Sequence, residues 1–239
     1  MIFARGNADS ATRQAKLHVG LATSSTLSLN DPNAALDVNV SVRIVDSAAP
    51  GEPITFLIHR TVFQVFEKGD GGVDMFARGA FGSIRGVDSE NNRTERRISL
   101  GLFRVNETMR SDALDLREAG YEFLTIPGDG SAVTVTHRLD WDRIFKYEGK
   151  LSREDLKPGE KFRIGFNKKF IGTSWWCFGD LEGDLKGRRF YAWCEDDFRD
   201  DRPDDVFLRE GNWVLSKDPT LLKWKCSAED DDITFEVIE

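Results

Sequence analysis

The sequence predicts an all-β antiparallel sandwich, and three observations carry that prediction. Leu36-Asp-Val-Asn-Val-Ser-Val-Arg-Ile44 is apolar at 36, 38, 40, 42 and 44 with polar residues between. Such strict alternation puts one strand face on a core and the other in water. Short β-branched and aromatic segments then recur at hairpin-like spacing, divided by turn sequences rich in Pro, Gly and Asp. Helical periodicity is almost absent along the whole chain.

Taken in order, residues 1–15 are polar and aperiodic and read as a loose tail. Leu36 to Ile44 is the first clear strand. Ala49-Pro-Gly-Glu-Pro53 turns the chain, and Ile54 to Phe66 reads as a second strand that pairs back. Phe76 to Gly86 is glycine-spaced and ambiguous, Asp88 to Arg97 is a solvated connection, and Ile98 to Leu102 restores alternation. Asp112 to Ala119 is the one short helix. Tyr121 to Ile126 and Val133 to Trp141 are strands joined through Pro127-Gly-Asp-Gly130, and Phe162, Ile164 and Phe166 alternate again. The aromatic segment around Trp175 and Trp176, then Arg189 to Cys194, Asn212 to Leu215, Leu222 to Cys226 and Ile233 to Val237, complete the strands. One domain over 1–239 is the simplest reading. The alternative is a sandwich at 16–167 with a small aromatic-rich β extension at 168–239.

Composition narrows the function classes. The chain has 239 residues, 40% of them hydrophobic, which is enough for a substantial core. Its net charge of −8 is concentrated: residues 195–205 carry seven carboxylates and two Arg, and Glu229 to Asp232 carry four more acids. The remainder is close to neutral, so no broad basic face is expected to neutralise nucleic acid. No run reaches the roughly 20 apolar residues that span a bilayer. The N-terminus shows no apolar signal region, and three widely spaced cysteines, Cys177, Cys194 and Cys226, read as reduced buried thiols. A cytoplasmic setting follows as the expectation, with a protein or small polar ligand as partner.

A resemblance enters at Leu124 to Phe166. A strand, a Pro-Gly turn, an alternating strand ending in Arg138-Leu-Asp-Trp-Asp142, and then Asp155-Leu-Lys-Pro-Gly-Glu-Lys-Phe-Arg-Ile164 follow one another. This order resembles the immunoglobulin-like sandwich that precedes the catalytic domain of fungal deuterolysin-type metallopeptidases. It is also similar to uncharacterised fungal intracellular proteins with such a sandwich. Over residues 36–167 the resemblance implies an immunoglobulin-like fold with extra C-terminal strands. It implies no peptidase activity, because the His-Glu-x-x-His zinc motif is absent and no His here is followed by Glu.

Few residues offer catalytic chemistry. His137 lies three positions before Asp140, a pairing that would suit proton transfer if the two met. Three positions along a strand place them on opposite faces, so His137 and Asp140 define only an alternative: an enzyme with a small-molecule pocket between the sheets. Gly82-Ser83-Ile84-Arg85-Gly86 has its serine one place too early for a nucleophile elbow. Gly128-Asp-Gly130 opens no helix and cannot cradle a phosphate. Asp196, Asp200 and Asp204 are spaced by four, as are Asp197, Asp201 and Asp205. On a helix like charges would stack, so the run reads as a loop that could meet a basic partner or, less well, Ca²⁺. No metal or other cofactor is assigned.

The aromatic cluster carries the functional expectation. Trp175, Trp176, Tyr191 and Trp193 fall in two strands read as adjacent, where one of the paired tryptophans should be core and the other exposed. An exposed indole beside acidic groups suits sugar stacking or cation–π contact. The expected function is a non-enzymatic binding or interaction module, with a carbohydrate-binding lectin-like protein as a further alternative.

Overall fold

Alternation becomes sheet where the sequence is most regular. In the computed structural model, which describes residues 14–65, 74–102, 113–147, 149–194, 204–226 and 232–239, strand β3 (Ala35–Ser47) contains the nine-residue repeat. Its Leu36, Val38, Val40 and Val42 are wholly buried. β3 lies antiparallel between β1 (Ala15–Thr23) and β8 (Val133–Asp140), while β13 (Leu222–Cys226) runs parallel to β1 on its other side. β1 begins inside the stretch read as a tail, and it buries Ala15, Leu17, Val19 and Leu21. Residues 1–13 lie outside the described residues.

A second sheet has the order β2 (Thr26–Ser28), β14 (Asp232–Ile238), β9 (Lys161–Gly165), β5 (Ile84–Val87) and β6 (Arg93–Ile98). A third sets β4 (Ile54–Leu57) between β10 (Trp176–Phe178) and β7 (Phe123–Ile126). β11 (Arg189–Cys194) and β12 (Trp213–Ser216) form a parallel pair. The fold is therefore an all-β, mostly antiparallel sandwich.

Two apolar cores explain this stacking. The larger takes Val19 and Val40 from the first sheet, Phe162 and Phe235 from the second, and Phe56 and Trp176 from the third. The smaller, made by Leu57, Leu116, Trp175, Cys177, Leu185 and Phe190, lies against the opposite face of the third sheet. That sheet is a middle layer, which is why all four residues of β4 are buried. The hydroxyl of Thr55, the one polar residue among them, donates to the carbonyl of Gly179. Strands β13 and β14 sit in the first and second sheets, so chain on both sides of Asn167 builds each.

Several elements differ from the sequence expectation. The strand beginning at Ile54 ends at Leu57 and pairs with β7 and β10 rather than with β3. A turn follows, closed by Thr61 Oγ1 donating to the Ile58 carbonyl, with Arg60 at φ 61°. The segment expected as a helix from Asp112 is a turn over its described residues. Asp115 Oδ1 accepts from the amides of Arg117 and Phe190 there, which ties the turn to β11. Arg93 to Ile98 is a strand, not a connection: β6 lies at a sheet edge, where only Ile98 is buried and no alternation is needed. Helices occur instead as α1 (Trp141–Ile144) and α2 (Asp205–Glu210).

Candidate functional site

Trp175 and Trp176 do point to opposite sides, but both sides are core. Trp175 is 1% exposed and Trp176 is wholly buried, which corrects the expectation that one would face solvent. Trp175 stacks on Phe190 at 4.7 Å in the small core and donates from Nε1 to the Tyr191 carbonyl at 2.7 Å. Trp176 packs edge-on to Phe178 in the large core and donates from Nε1 to the Asp218 carbonyl at 3.0 Å. Each indole has its polar end satisfied, so each is stable where it lies. Their strand is also not adjacent to β11: β10 pairs with β4 and β11 with β12, and the Trp175–Tyr191 hydrogen bond links the two layers.

One layer further out, Tyr191, Trp193 and Phe207 reach the surface around the buried Trp213. Tyr191 and Trp193, half-buried on one face of β11, stack with centroids 6.5 Å apart. Tyr191 meets Trp213 of β12 edge-on at 5.2 Å and Phe207 of α2 at 6.3 Å. Phe207 in turn lies parallel to Trp213 at 6.0 Å. Phe207 is 40% exposed and its neighbour Val206 49%, so this group of rings reaches solvent through α2. The Arg189 guanidinium lies 4.0 Å from the Trp213 centroid and within 3.9 Å of Asp115 and Glu118. This cation–π contact fixes one edge of the patch.

Helix α2 places Phe207. Asp204 is its N-cap, accepting the Phe207 amide at 2.6 Å, and Asp205 opens its exposed first turn. A carboxylate at this end suits the helix dipole. The two aspartates at the end of the acidic run therefore start a helix rather than continue a loop. Asp196, Asp197, Asp200 and Asp201 lie outside the described residues. At the other end, Gly211 leaves room for the Trp213 indole: a Cβ there would stand 2.0 Å from its Nε1. Phe207 and Trp213 were not singled out from sequence. Trp213 had a signal, since it lies within Asn212 to Leu215, a segment read as a strand, whereas Phe207 follows the charged run by two residues.

His137 and Asp140 do not converge. His137 is wholly buried on the inward face of β8 and bonds through Nε2 to the Val62 carbonyl at 2.8 Å. Since a carbonyl only accepts, Nε2 carries the proton, and the buried Nδ1 has no hydrogen-bond partner. Phe76 and Phe81 face the ring edge-on. Burial pushes the imidazole pKa down to about 4, with the nearby Arg143 guanidinium adding to the depression. Arg143 is itself paired with Asp74 at 2.9 Å. Asp140 is exposed and caps α1, accepting the Arg143 amide.

Among the described residues, no three His, Cys, Asp or Glu side chains gather as metal ligands. The carboxylates of Asp180 and Asp184 are used within their own turn, accepting the amides of Glu182 and Asp180. A cleft of about 340 Å³ lies at one end of the second sheet, between Gly86–Ser89 and Gly159–Phe162, and includes Thr94 and Arg96. Neither His137 nor the aromatic patch lines it.

Fold and surface together define an all-β sandwich with an aromatic patch seated on a two-stranded outer sheet. The chain matches no family model, no curated protein and no solved structure.

Proposed function

We propose that the protein is a non-enzymatic binding module whose contact surface is the patch of Tyr191, Trp193 and Phe207, backed by the buried Trp213. The observation that carries this reading is the continuous packing of four rings from β11, α2 and β12, ending in a Phe207 that is 40% exposed. Ring faces beside the exposed carboxylates Asp204 and Asp205 suit a polyhydroxyl or cationic ligand, by stacking and cation–π attraction. The separation of His137 from Asp140 weighs against the proton-transfer alternative. An immunoglobulin-like kinship for residues 36–167 and a cytoplasmic setting belong to the same proposal.

A thermal-shift screen with neutral oligosaccharides, quaternary ammonium compounds, Ca²⁺ and small apolar metabolites tests the reading. The expected result is stabilisation by an oligosaccharide or an ammonium compound that Phe207→Ala and Trp193→Ala each abolish. Stabilisation by an apolar metabolite that both variants retain would replace the patch with an interior pocket.

A further inference from the structure

The outer layer builds the same chemical surroundings twice, once filled by the chain itself and once open. In the filled case the Arg189 guanidinium lies 4.0 Å from the Trp213 centroid, and its nitrogens stand 3.9 Å from carboxylate oxygens of Asp115 and Glu118. An aromatic face beside two carboxylates suits a guanidinium, whose plane stacks on the ring while its edge donates to the acids. The open case surrounds Phe207. Its ring lies nearly parallel to Trp213 at 6.0 Å, and its exposed 40% lies away from that contact. Residues three apart on a helix are neighbours, so Asp204, Phe207 and Glu210 follow one ridge of α2, with an acid on each side of the ring. Asp204 accepts the Phe207 amide on Oδ1 and keeps Oδ2. Glu210 is exposed and, among the described residues, pairs with no cation. Arg209 is the one basic residue of α2, against Asp204, Asp205 and Glu210, so the helix and its cap are negative.

Resting on the reading of this surface as the binding patch, we propose that Phe207, flanked by Asp204 and Glu210, receives an arginine side chain from an exposed, arginine-rich segment of a partner protein. A guanidinium stacked on Phe207 would use both flanking carboxylates, as Arg189 uses Asp115 and Glu118 on Trp213. A quaternary ammonium has no N–H to give those carboxylates, and a neutral sugar leaves their charge uncompensated. Val206, 49% exposed beside Phe207, adds apolar area that a polypeptide covers and a free amino acid does not. The net charge of −8 favours approach of a basic segment and disfavours nucleic acid.

The test is fluorescence anisotropy of the full-length protein with two labelled peptides of equal charge, one a repeat of Arg-Gly-Gly and the other of Lys-Gly-Gly. The expected result is binding of the arginine peptide roughly threefold or more tighter than that of the lysine peptide. Phe207→Leu, which keeps an apolar side chain but removes the ring, should erase that preference, and Glu210→Gln should weaken the arginine peptide about twofold or more. Glu236→Gln, the same loss of charge on the second sheet, should change nothing. No binding of the arginine peptide, equal binding of both peptides, or equal effects of Glu210→Gln and Glu236→Gln overturns the proposal. The patch reading itself survives that outcome if an oligosaccharide or a quaternary ammonium compound still stabilises the protein and Phe207→Ala abolishes the effect, and it falls with the proposal if none does.

Discussion

His137 sits where no proton can easily join it. The folded protein keeps the imidazole neutral down to about pH 4, while an unfolded chain protonates it near 6.5. Between these values the unfolded state binds more protons, so this residue's contribution to stability is complete above pH 6.5 and falls as pH drops towards 4. The difference amounts to about 3 kcal/mol, at 1.36 kcal/mol per pH unit. Urea denaturation of wild type and His137→Gln at several pH values should show a smaller loss of stability in the variant across this window. Parallel curves would contradict the burial of His137. A second contrast separates core aromatics from surface ones. Trp175→Ala and Trp176→Ala should each cost roughly 3–5 kcal/mol, as large core truncations do. Phe207→Ala should cost about 1 kcal/mol or less. Equal losses from all three, measured by denaturation midpoint, would mean that the patch is part of the core.

At the scale of elements, close approach of two turns is the sharpest constraint. A Cβ on Gly128 would stand 2.1 Å from the carbonyl oxygen of Gly51, backbone against backbone. Gly128→Ala should therefore destabilise by roughly 1–3 kcal/mol, the usual range for overpacking, while Gly159→Ala meets no neighbouring atom and is strained only by its positive φ. Thermal melts of the two variants check this, and a Gly128→Ala protein as stable as wild type would refute the contact. Elements with one buried face were legible: the alternation of β3, the Val133–Asp140 span of β8 and the five residues of β13 follow from period two alone. Elements that break that premise were not. β4 is buried on both faces, so its apolar run continued into a turn, and β6 is solvated on an edge, so its charges read as a connection. The site was half legible for a related reason. Neighbouring tryptophans were correctly split between faces, but a third layer over β10 is a tertiary fact that no local pattern encodes.

For the molecule as a whole, layering decides what can act. Two cores on either side of the third sheet take Trp175 and Trp176 out of contention and leave Tyr191, Trp193 and Phe207 as the aromatic surface. Binding at that surface should respond little to pH between 6.5 and 8, since the imidazole of His137 stays neutral there and lies in the other core. Isothermal titration across that range checks this, and a strong pH dependence would point to the interior instead. The most direct measurement is chemical-shift mapping of the labelled protein during titration with whichever oligosaccharide or ammonium compound stabilises it. Shifts confined to Tyr191, Trp193, Asp204, Asp205, Phe207 and Trp213 are predicted, with His137, Asp74 and Arg143 unmoved. Shifts centred on His137 and its neighbours, with the patch silent, would contradict the account.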